Sequence, residues 1–120
     1  HTQSWLTHTL HVHAAIDYTQ PPPALQEQLD EACPNGVDLL FDNVGGPFLD
    51  TLLDRINRGG RVVILGAISQ YSQPPPPPQD SGTAGSTAGD RGFGPSKYLK
   101  LAEQSATMKG FNLFHFSKRQ

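Results

Sequence analysis

The sequence has few of the features that mark secreted, membrane-bound or nucleic-acid-binding proteins. Its one cysteine, Cys33, cannot form a disulfide within the chain, which fits a reducing compartment, so we expect a cytoplasmic protein. No apolar run approaches the roughly 20 residues that cross a bilayer, and no secretory signal is visible. The net charge of −2, with nine scattered Lys and Arg, gives no electrostatic case for nucleic acid or an anionic membrane.

Metal ligands are also scarce. His8, His11 and His13 could share a helix face or a strand face in pairs, but no cysteine or well-placed carboxylate completes a tetrahedral site. We therefore expect solvated or capping histidines and no metal. Cys33 has no neighbouring base that would make it a nucleophile, so a structural role is expected for it.

One β-α-β pattern organises the chain between Val37 and Tyr71. The apolar runs Val37–Phe41 and Arg61–Ala67 are too short for helices and are bounded by Gly and Asn. They predict neighbouring parallel strands that are apolar on both faces. Between them, Pro47–Asn57 has apolar residues at helical spacing, and Gly59-Gly60 is expected to end that helix.

Small and polar residues follow both predicted strands. Because ligands bind at the carboxyl ends of the strands in open α/β sheets, these turns are expected at a binding edge. Asn43 could donate to and accept from a ligand, or it could cap the next helix; both roles can coexist. Gly45-Gly46 would let a ligand approach the backbone closely. Asp42 is expected to support the turn rather than to act as an acid.

The flanking segments complete an α/β pattern. Ser4–Leu10 predicts the end of an amphipathic helix, Val12–Tyr18 a short strand and Ala24–Cys33 a helix. Near the other end, Ser96–Lys109 predicts a crossover helix, and Phe111–Phe116 alternates apolar and polar residues as an edge strand does. With 120 residues, of which 36% are hydrophobic, the chain supports one domain at most.

The motif FDNVGG (Phe41–Gly46) followed by GAISQY (Gly66–Tyr71) resembles the medium-chain dehydrogenase/reductase superfamily. Within it, the chain is similar to the zinc-independent branch of leukotriene/prostaglandin reductases and alkenal or curcumin reductases. The segments AAIDY, YLKL and MKGFNLFHF extend this resemblance. In that family a glycine takes the left-handed position after the first helix, where this chain has His11.

The resemblance implies the C-terminal part of a Rossmann-type parallel sheet flanked by helices. We expect the first βαβ phosphate-binding unit to be missing, since no GxGxxG turn precedes Ser4. Because the sequence begins at His1 rather than Met, we expect a fragment of a longer protein, and we expect this chain alone to be inactive. Its expected parts are a partial NADP-binding domain (1–71), a flexible Pro/Gly/Ser-rich insert (72–95), and the last helix and edge strand of the same domain (96–120).

The resemblance also implies an NADP(H)-dependent oxidoreductase that reduces the C=C bond of α,β-unsaturated ketones or aldehydes by hydride transfer. Tyr71 would stabilise the enolate and is the catalytic candidate; alternatively it is a loop tyrosine that covers the sheet end. Tyr18 would lie near the adenosine, or it packs as a strand-end aromatic. The implied cofactor-binding residues are Tyr18, Asn43, Leu65, Gly66, Ala67, Ile68, Ser69, Gln70, Phe111, Asn112 and Leu113. The preference for NADP over NAD follows from the resemblance alone.

Two other readings of the sequence remain open. In the family, the segment that matches Phe111–Phe116 pairs with its copy in a second subunit, which implies a homodimer in the full-length protein. A truncated half-domain could therefore be a non-catalytic protein that pairs with full-length subunits. The five-proline run within Ser72–Pro95 predicts polyproline II structure and could be a ligand for SH3-type domains.

Overall fold

The computed structural model describes residues 2–70 and 95–116, so Tyr71 and most of the Pro/Gly/Ser-rich segment lie outside the described residues. The chain divides into two compact units, His1–Val37 and Asp38–Gln120. In the part of the chain that is described, no helix is long and apolar enough to cross a membrane.

The first unit contains two helices, α1 (Thr2–His8) and α2 (Pro22–Ala32). Helix α2 begins two residues before the predicted start, because Pro22 and Pro23 fall in its first turn, where no backbone N–H is needed for a helical bond. It buries Leu25 and Leu29. Both predicted helices of this unit are therefore confirmed, with shifted ends.

The predicted strand Val12–Tyr18 does not form. No described strand pairs with it, and without a neighbour its ladder hydrogen bonds have no partners. The backbone N–H of Asp17 donates instead to Oε1 of Gln28, at 2.9 Å. His11 has φ of 56°, so it occupies the left-handed conformation in which the family has glycine.

The second unit is built on a three-stranded parallel sheet in the order β1-β2-β3. The strands are β1 (Val37–Asp42, which starts at the unit boundary), β2 (Ile56–Ile64) and β3 (Thr107–Gly110). In the β2–β3 register, Ile64 lies opposite Gly110. Helix α3 (Gly46–Leu53) connects β1 to β2, and helix α4 (Leu99–Glu103) precedes β3. The predicted α/β fold class is confirmed.

The sequence predicts that the helix ends at Gly59-Gly60, but the boundary between α3 and β2 lies earlier in the chain. Helix α3 ends at Leu53, and Ile56 already belongs to β2, where it is 4% exposed. Gly60 lies inside β2. A Cβ at this position would lie 2.7 Å from the Ile56 side chain, so the position requires glycine. Burial of Ile56 thus decides the boundary. The core of this unit consists of Leu40, Leu49, Leu52, Leu53, Ile56 and Val62.

Strand β1 departs from the prediction that both its faces are buried. Leu40 and Asp42 are buried, whereas Leu39 and Phe41, at alternate positions, are 64% and 59% exposed. A parallel strand is buried on both faces only where other elements cover both. In the described part of the chain, one face of β1 stays open.

The last elements also differ from the prediction. Helix α4 is shorter than Ser96–Lys109, and its last predicted residues belong to β3. The segment Phe111–Phe116 is not a strand, because it contains a 3₁₀ turn at Leu113–His115. The rings of Phe111 and Phe116 stack with centroids 4.8 Å apart, whereas five residues of extended strand would separate them by roughly 16 Å.

Candidate functional site

Asp42, the last residue of β1, joins the two loops at the carboxyl ends of β1 and β2. It is 3% exposed. Its backbone carbonyl accepts the N–H groups of Leu65 and Gly66 at 2.9 and 3.3 Å. Its carboxyl Oδ1 accepts the N–H groups of Val44 and Gly45, each at 3.0 Å. Asp42 therefore supports the turn, as the sequence predicts.

The same two loops are joined further along, through Asn43, Val44 and Ser69. The carbonyl of Asn43 accepts the N–H of Ile68 at 3.0 Å, and the carbonyl of Val44 accepts the N–H of Ser69 at 3.1 Å. The Ser69 hydroxyl also donates to Val44, at 2.6 Å. We call this hydrogen-bonded region, Asp42–Gly46 with Leu65–Ser69, the seam. Asn43 does not cap α3, whose N-cap is Gly45 without a side-chain hydrogen bond.

The glycine pair in the seam is required by the protein itself. Gly45 and Gly46 have φ of 67° and 60°, in the left-handed region that side chains disfavour. A Cβ on Gly46 would lie 2.8 Å from the Ser69 hydroxyl oxygen. The positive φ thus explains Gly45, and the positive φ together with the close approach of the two loops explains Gly46, without a ligand.

A cleft of about 530 Å³ opens on the other side of β2, between the carboxyl ends of β2 and β3. This volume falls within the usual range for small-molecule sites. The backbone N–H of Phe111 donates to the carbonyl of Ile64 at 2.8 Å and fixes the two walls relative to each other. The residues that line the cleft are Ile64, Leu65, Gly66, Ala67, Gly110, Phe111, Asn112 and His115.

The cleft brings together five of the predicted cofactor-binding residues, namely Leu65, Gly66, Ala67, Phe111 and Asn112. Ile68 and Ser69 belong to the seam, and the backbone of Gln70 ends the 3₁₀ turn Ile68–Gln70. Leu113 is 66% exposed and does not line the cleft. Tyr71, the catalytic candidate, lies outside the described residues.

The cleft suits a flat, mostly apolar ring. Leu65, Ala67 and Phe111 supply apolar wall, and Gly66 leaves the backbone uncovered. A Cβ at Gly110 would meet no other heavy atom within 4 Å, so that side of the cleft is also open. A nicotinamide ring fits this chemistry, since it needs apolar contact on its faces and hydrogen bonds at its carboxamide.

His115 is a lining residue that sequence reasoning missed. A strand over Phe111–Phe116 would have carried it away from the end of β3, whereas the 3₁₀ turn brings it back beside Gly110. Its backbone N–H donates to the carbonyl of Asn112 at 3.1 Å. The residue that could have predicted this turn is Asn112, because an asparagine side chain commonly accepts the backbone N–H two residues further on and starts a turn.

Tyr18 belongs to the first unit. It is 49% exposed and follows Asp17, whose carboxyl accepts the hydroxyl of Thr19 at 2.6 Å and the amide of Gln20 at 2.9 Å. These hydrogen bonds, the Thr19 hydroxyl foremost, lower the pKa of Asp17 because they stabilise its charged form. The turn therefore presents Tyr18 to solvent, and its role beside an adenosine stays a prediction.

The described residues contain no group of three or more His, Cys, Asp or Glu side chains that could hold a metal ion. Cys33 is partly exposed and is a free cysteine.

Comparison with known proteins gives consistent matches. Residues 10–115 match the model of the family described as zinc-binding dehydrogenase. The Bacillus subtilis protein YfmJ, whose name describes an NADP-dependent oxidoreductase, is 36% identical over 115 residues, which are 96% of this chain and 30% of YfmJ. Prostaglandin reductase 1 of Sus scrofa is 46% identical over 55 residues, 46% of this chain and 17% of that protein.

A solved structure is also similar. The crystal structure of CurA from Vibrio vulnificus in complex with NADPH matches 92% of this chain and 29% of CurA, with 27% identity and a TM-score of 0.67. The chain thus spans less than a third of the length of each of these relatives.

Proposed function

This chain belongs to the zinc-binding dehydrogenase family, on the reductase branch of the medium-chain dehydrogenase/reductase superfamily. From that membership we propose that its cleft holds the nicotinamide end of NADP(H) during reduction of the C=C bond of an α,β-unsaturated ketone or aldehyde. One observation supports this above all: two distant motifs, Leu65–Ala67 and Phe111–Asn112, line a single cleft at the carboxyl edge of the sheet. The names of YfmJ and of the CurA complex agree with NADP(H) rather than NAD.

In the proposed reaction, bound NADPH would supply the hydride to the β-carbon of the enone and become NADP⁺, and a proton from water would complete the reduction at the α-carbon. Leu65, Ala67 and Phe111 exclude water from the faces of the ring, which strengthens the electrostatic interactions around it. The side chain of Asn43 faces solvent at the seam and can bind a ribose or nicotinamide group. Tyr71 follows the 3₁₀ turn Ile68–Gln70 directly, and its phenol would donate a hydrogen bond to the developing enolate oxygen.

Binding can be tested on the 120-residue chain by fluorescence titration with NADPH and with reduced nicotinamide mononucleotide. We expect weak but saturable binding of both, because the sequence has no GxGxxG turn to hold the pyrophosphate. Gly110→Val should weaken it by about tenfold, because the new side chain takes up space beside the cleft without meeting the protein. The matched control is Lys109→Val, at the adjacent exposed position that does not line the cleft. Equal effects of the two variants, or no binding by the unaltered chain, would contradict the proposal.

The chemical role of Tyr71 can be tested separately. Turnover is measured as enone-dependent loss of NADPH absorbance, for the chain and for the longest protein encoded in its reading frame, since the relatives are longer. Tyr71→Phe should lower turnover by about 10²-fold, as expected for loss of an oxyanion donor, and should change NADPH affinity much less. An unchanged turnover number would remove Tyr71 from the mechanism.

A second candidate function is pairing with another copy of the chain or with a longer subunit. It is favoured by the exposed apolar side chains of Leu113, Phe114 and Phe116, which are 66%, 83% and 68% exposed. Since this segment is not a strand, such pairing would use these side chains and the outer edge of β3. Light scattering across concentrations should show a dimer that Phe114→Asp disrupts and that Arg58→Asp, at an exposed residue of β2 away from this edge, does not disrupt. A monomer at every concentration would count against pairing.

A further inference from the structure

Only two of the eight residues that line the cleft have polar side chains. They are Asn112 and His115, and the other lining residues are aliphatic, aromatic or glycine. Any directional side-chain recognition within the described cleft must therefore come from this pair, which follows β3 in one short turn.

The orientation of the Asn112 amide is fixed by the protein. Its Oδ1 accepts the backbone N–H of Phe114 at 3.0 Å. The Nδ2 group cannot take that place, because a backbone N–H needs an acceptor. The planar amide therefore turns its Nδ2 away from Phe114, and among residues 2–70 and 95–116 this group has no hydrogen-bond partner.

His115 is held in the same turn, because its backbone N–H donates to the Asn112 carbonyl at 3.1 Å. A neutral imidazole has one N–H donor, and the charged ring has two. The pair thus offers the cleft one amide donor of fixed orientation and one ring donor. Two donors beside apolar walls match a carbonyl oxygen, which has two lone pairs on an otherwise flat and weakly polar group.

We infer that Asn112 Nδ2 and a ring N–H of His115 bind a carbonyl oxygen in the cleft. This inference rests on the proposed function, which names two sources of such an oxygen: the carboxamide of the nicotinamide and the carbonyl of the unsaturated ketone or aldehyde. The pair thereby determines which end of a flat ligand enters the cleft, and ligands without the oxygen bind more weakly.

Three variants separate recognition from folding. Asn112→Asp keeps an oxygen for the Phe114 N–H and places a second oxygen where Nδ2 donated. His115→Phe keeps an aromatic ring and removes its N–H groups, and His115→Gln restores a donor. Thr107→Asp is the matched control, because it adds the same charge at an exposed residue of β3 that does not line the cleft.

Each variant of the 120-residue chain is titrated by fluorescence with reduced nicotinamide mononucleotide, with circular dichroism as the check on folding. We expect Asn112→Asp to raise Kd by about tenfold or more and His115→Phe by about fivefold, as for loss of a single hydrogen bond to the ligand. His115→Gln should lie within about threefold of the unaltered chain, and Thr107→Asp should change Kd little.

A second titration identifies the oxygen. The chain saturated with NADP⁺ is titrated with 4-phenylbut-3-en-2-one, followed by quenching of intrinsic fluorescence. Loss confined to the mononucleotide arm assigns the pair to the carboxamide, and loss confined to the enone arm assigns it to the substrate carbonyl. Normal binding by Asn112→Asp and His115→Phe in both arms overturns the inference and leaves the proposed function intact. Absence of binding by the unaltered chain overturns both.

Discussion

The seam and the cleft lie side by side at the carboxyl edge of one sheet, but they use their polar groups differently. In the seam, the carbonyls of Asp42, Asn43 and Val44 all accept hydrogen bonds from the loop that follows β2. In the cleft, Asn112 and His115 keep donors that no described residue accepts. A polar group that is already paired holds the fold, whereas one left unpaired at a concave surface is available to a ligand.

The comparison separates two roles that the motif alone does not distinguish. FDNVGG resembles a cofactor-binding turn, yet Asp42 and Gly46 are needed to join the loops, and Gly45 is needed for its positive φ. Substitutions in Asp42–Gly46 should therefore reduce the free energy of unfolding, and substitutions of Asn112 or His115 should reduce ligand affinity. The free energies of unfolding and the ligand affinities of the following variants test that distinction.

The largest effect is expected for Asp42→Ala. It removes the acceptor for the N–H groups of Val44 and Gly45, in a residue that is 3% exposed, and should lower the free energy of unfolding by about 2–4 kcal/mol. Urea denaturation measures this. Asp42→Asn keeps Oδ1 and should recover most of the stability.

The matched control for Asp42 is Asp38→Ala in the same strand. Asp38 is exposed, and its Oδ1 accepts the Asn57 amide at 2.9 Å, so its loss should cost less than about 1 kcal/mol. If the two alanine variants were equally stable, the seam would contribute nothing beyond an ordinary exposed hydrogen bond.

Gly46→Ala should have the next largest effect, about 1–3 kcal/mol. It forces a side chain into a φ of 60° and brings Cβ within 2.8 Å of the Ser69 hydroxyl oxygen. The two causes can be separated with Ser69→Ala, which removes the close contact and leaves the backbone strain. Gly46→Ala should therefore cost less in the Ser69→Ala background, and strict additivity in this double-mutant cycle would show that the loops do not meet as described.

A smaller effect is expected outside both regions, at Asp50 on α3. Its carboxyl accepts the Ser96 hydroxyl at 2.7 Å and the Lys97 N–H at 3.0 Å, and so ties α3 to the segment that leads into α4. These groups are exposed, so Asp50→Ala should lower the free energy of unfolding by about 0.5–1 kcal/mol. Glu103→Ala is the control, because its ion pair with Lys100, at 3.1 Å, is also exposed and local. If Asp50→Ala lowers the free energy of unfolding no more than Glu103→Ala does, the hydrogen bonds of Asp50 to Ser96 and Lys97 do not stabilise the fold.

Much of the second unit could be predicted because its signals are local. The valine, isoleucine and leucine runs of β1 and β2 and the amphipathic pattern of α3 indicate a β-α-β unit without reference to the rest of the chain. Val12–Tyr18 has a similar pattern but forms no strand, since a strand requires a partner that local pattern does not supply. The ends of α3 and β2 depend on where Ile56 packs, and tertiary burial overrides the glycine signal there.

The site was predictable to a similar extent. The resemblance implied that Leu65–Ala67 and Phe111–Asn112 meet a cofactor, and the structure places these two segments along one cleft. Their contact with a cofactor stays a prediction. The hydroxyl of Ser69, another implied cofactor-binding residue, donates to Val44, and its contact with a cofactor also stays a prediction. His115 was missed because its position depends on one hydrogen bond, from Phe114 to the Asn112 side chain, that the alternating pattern conceals.

The smallest effect on stability is expected in the cleft itself. His115 is exposed, and in the described residues only its backbone N–H is hydrogen-bonded, so His115→Phe should change the free energy of unfolding by less than about 0.5 kcal/mol. Thermal and urea denaturation measured beside Asp42→Ala give a direct contrast on one scale. A destabilisation by His115→Phe as large as that of Asp42→Ala would mean that the imidazole stabilises the fold. The polar groups of the cleft would then have the same structural role as those of the seam. If His115→Phe leaves the free energy of unfolding unchanged, a loss of nicotinamide binding by the same variant must come from the lost ring N–H and not from unfolding.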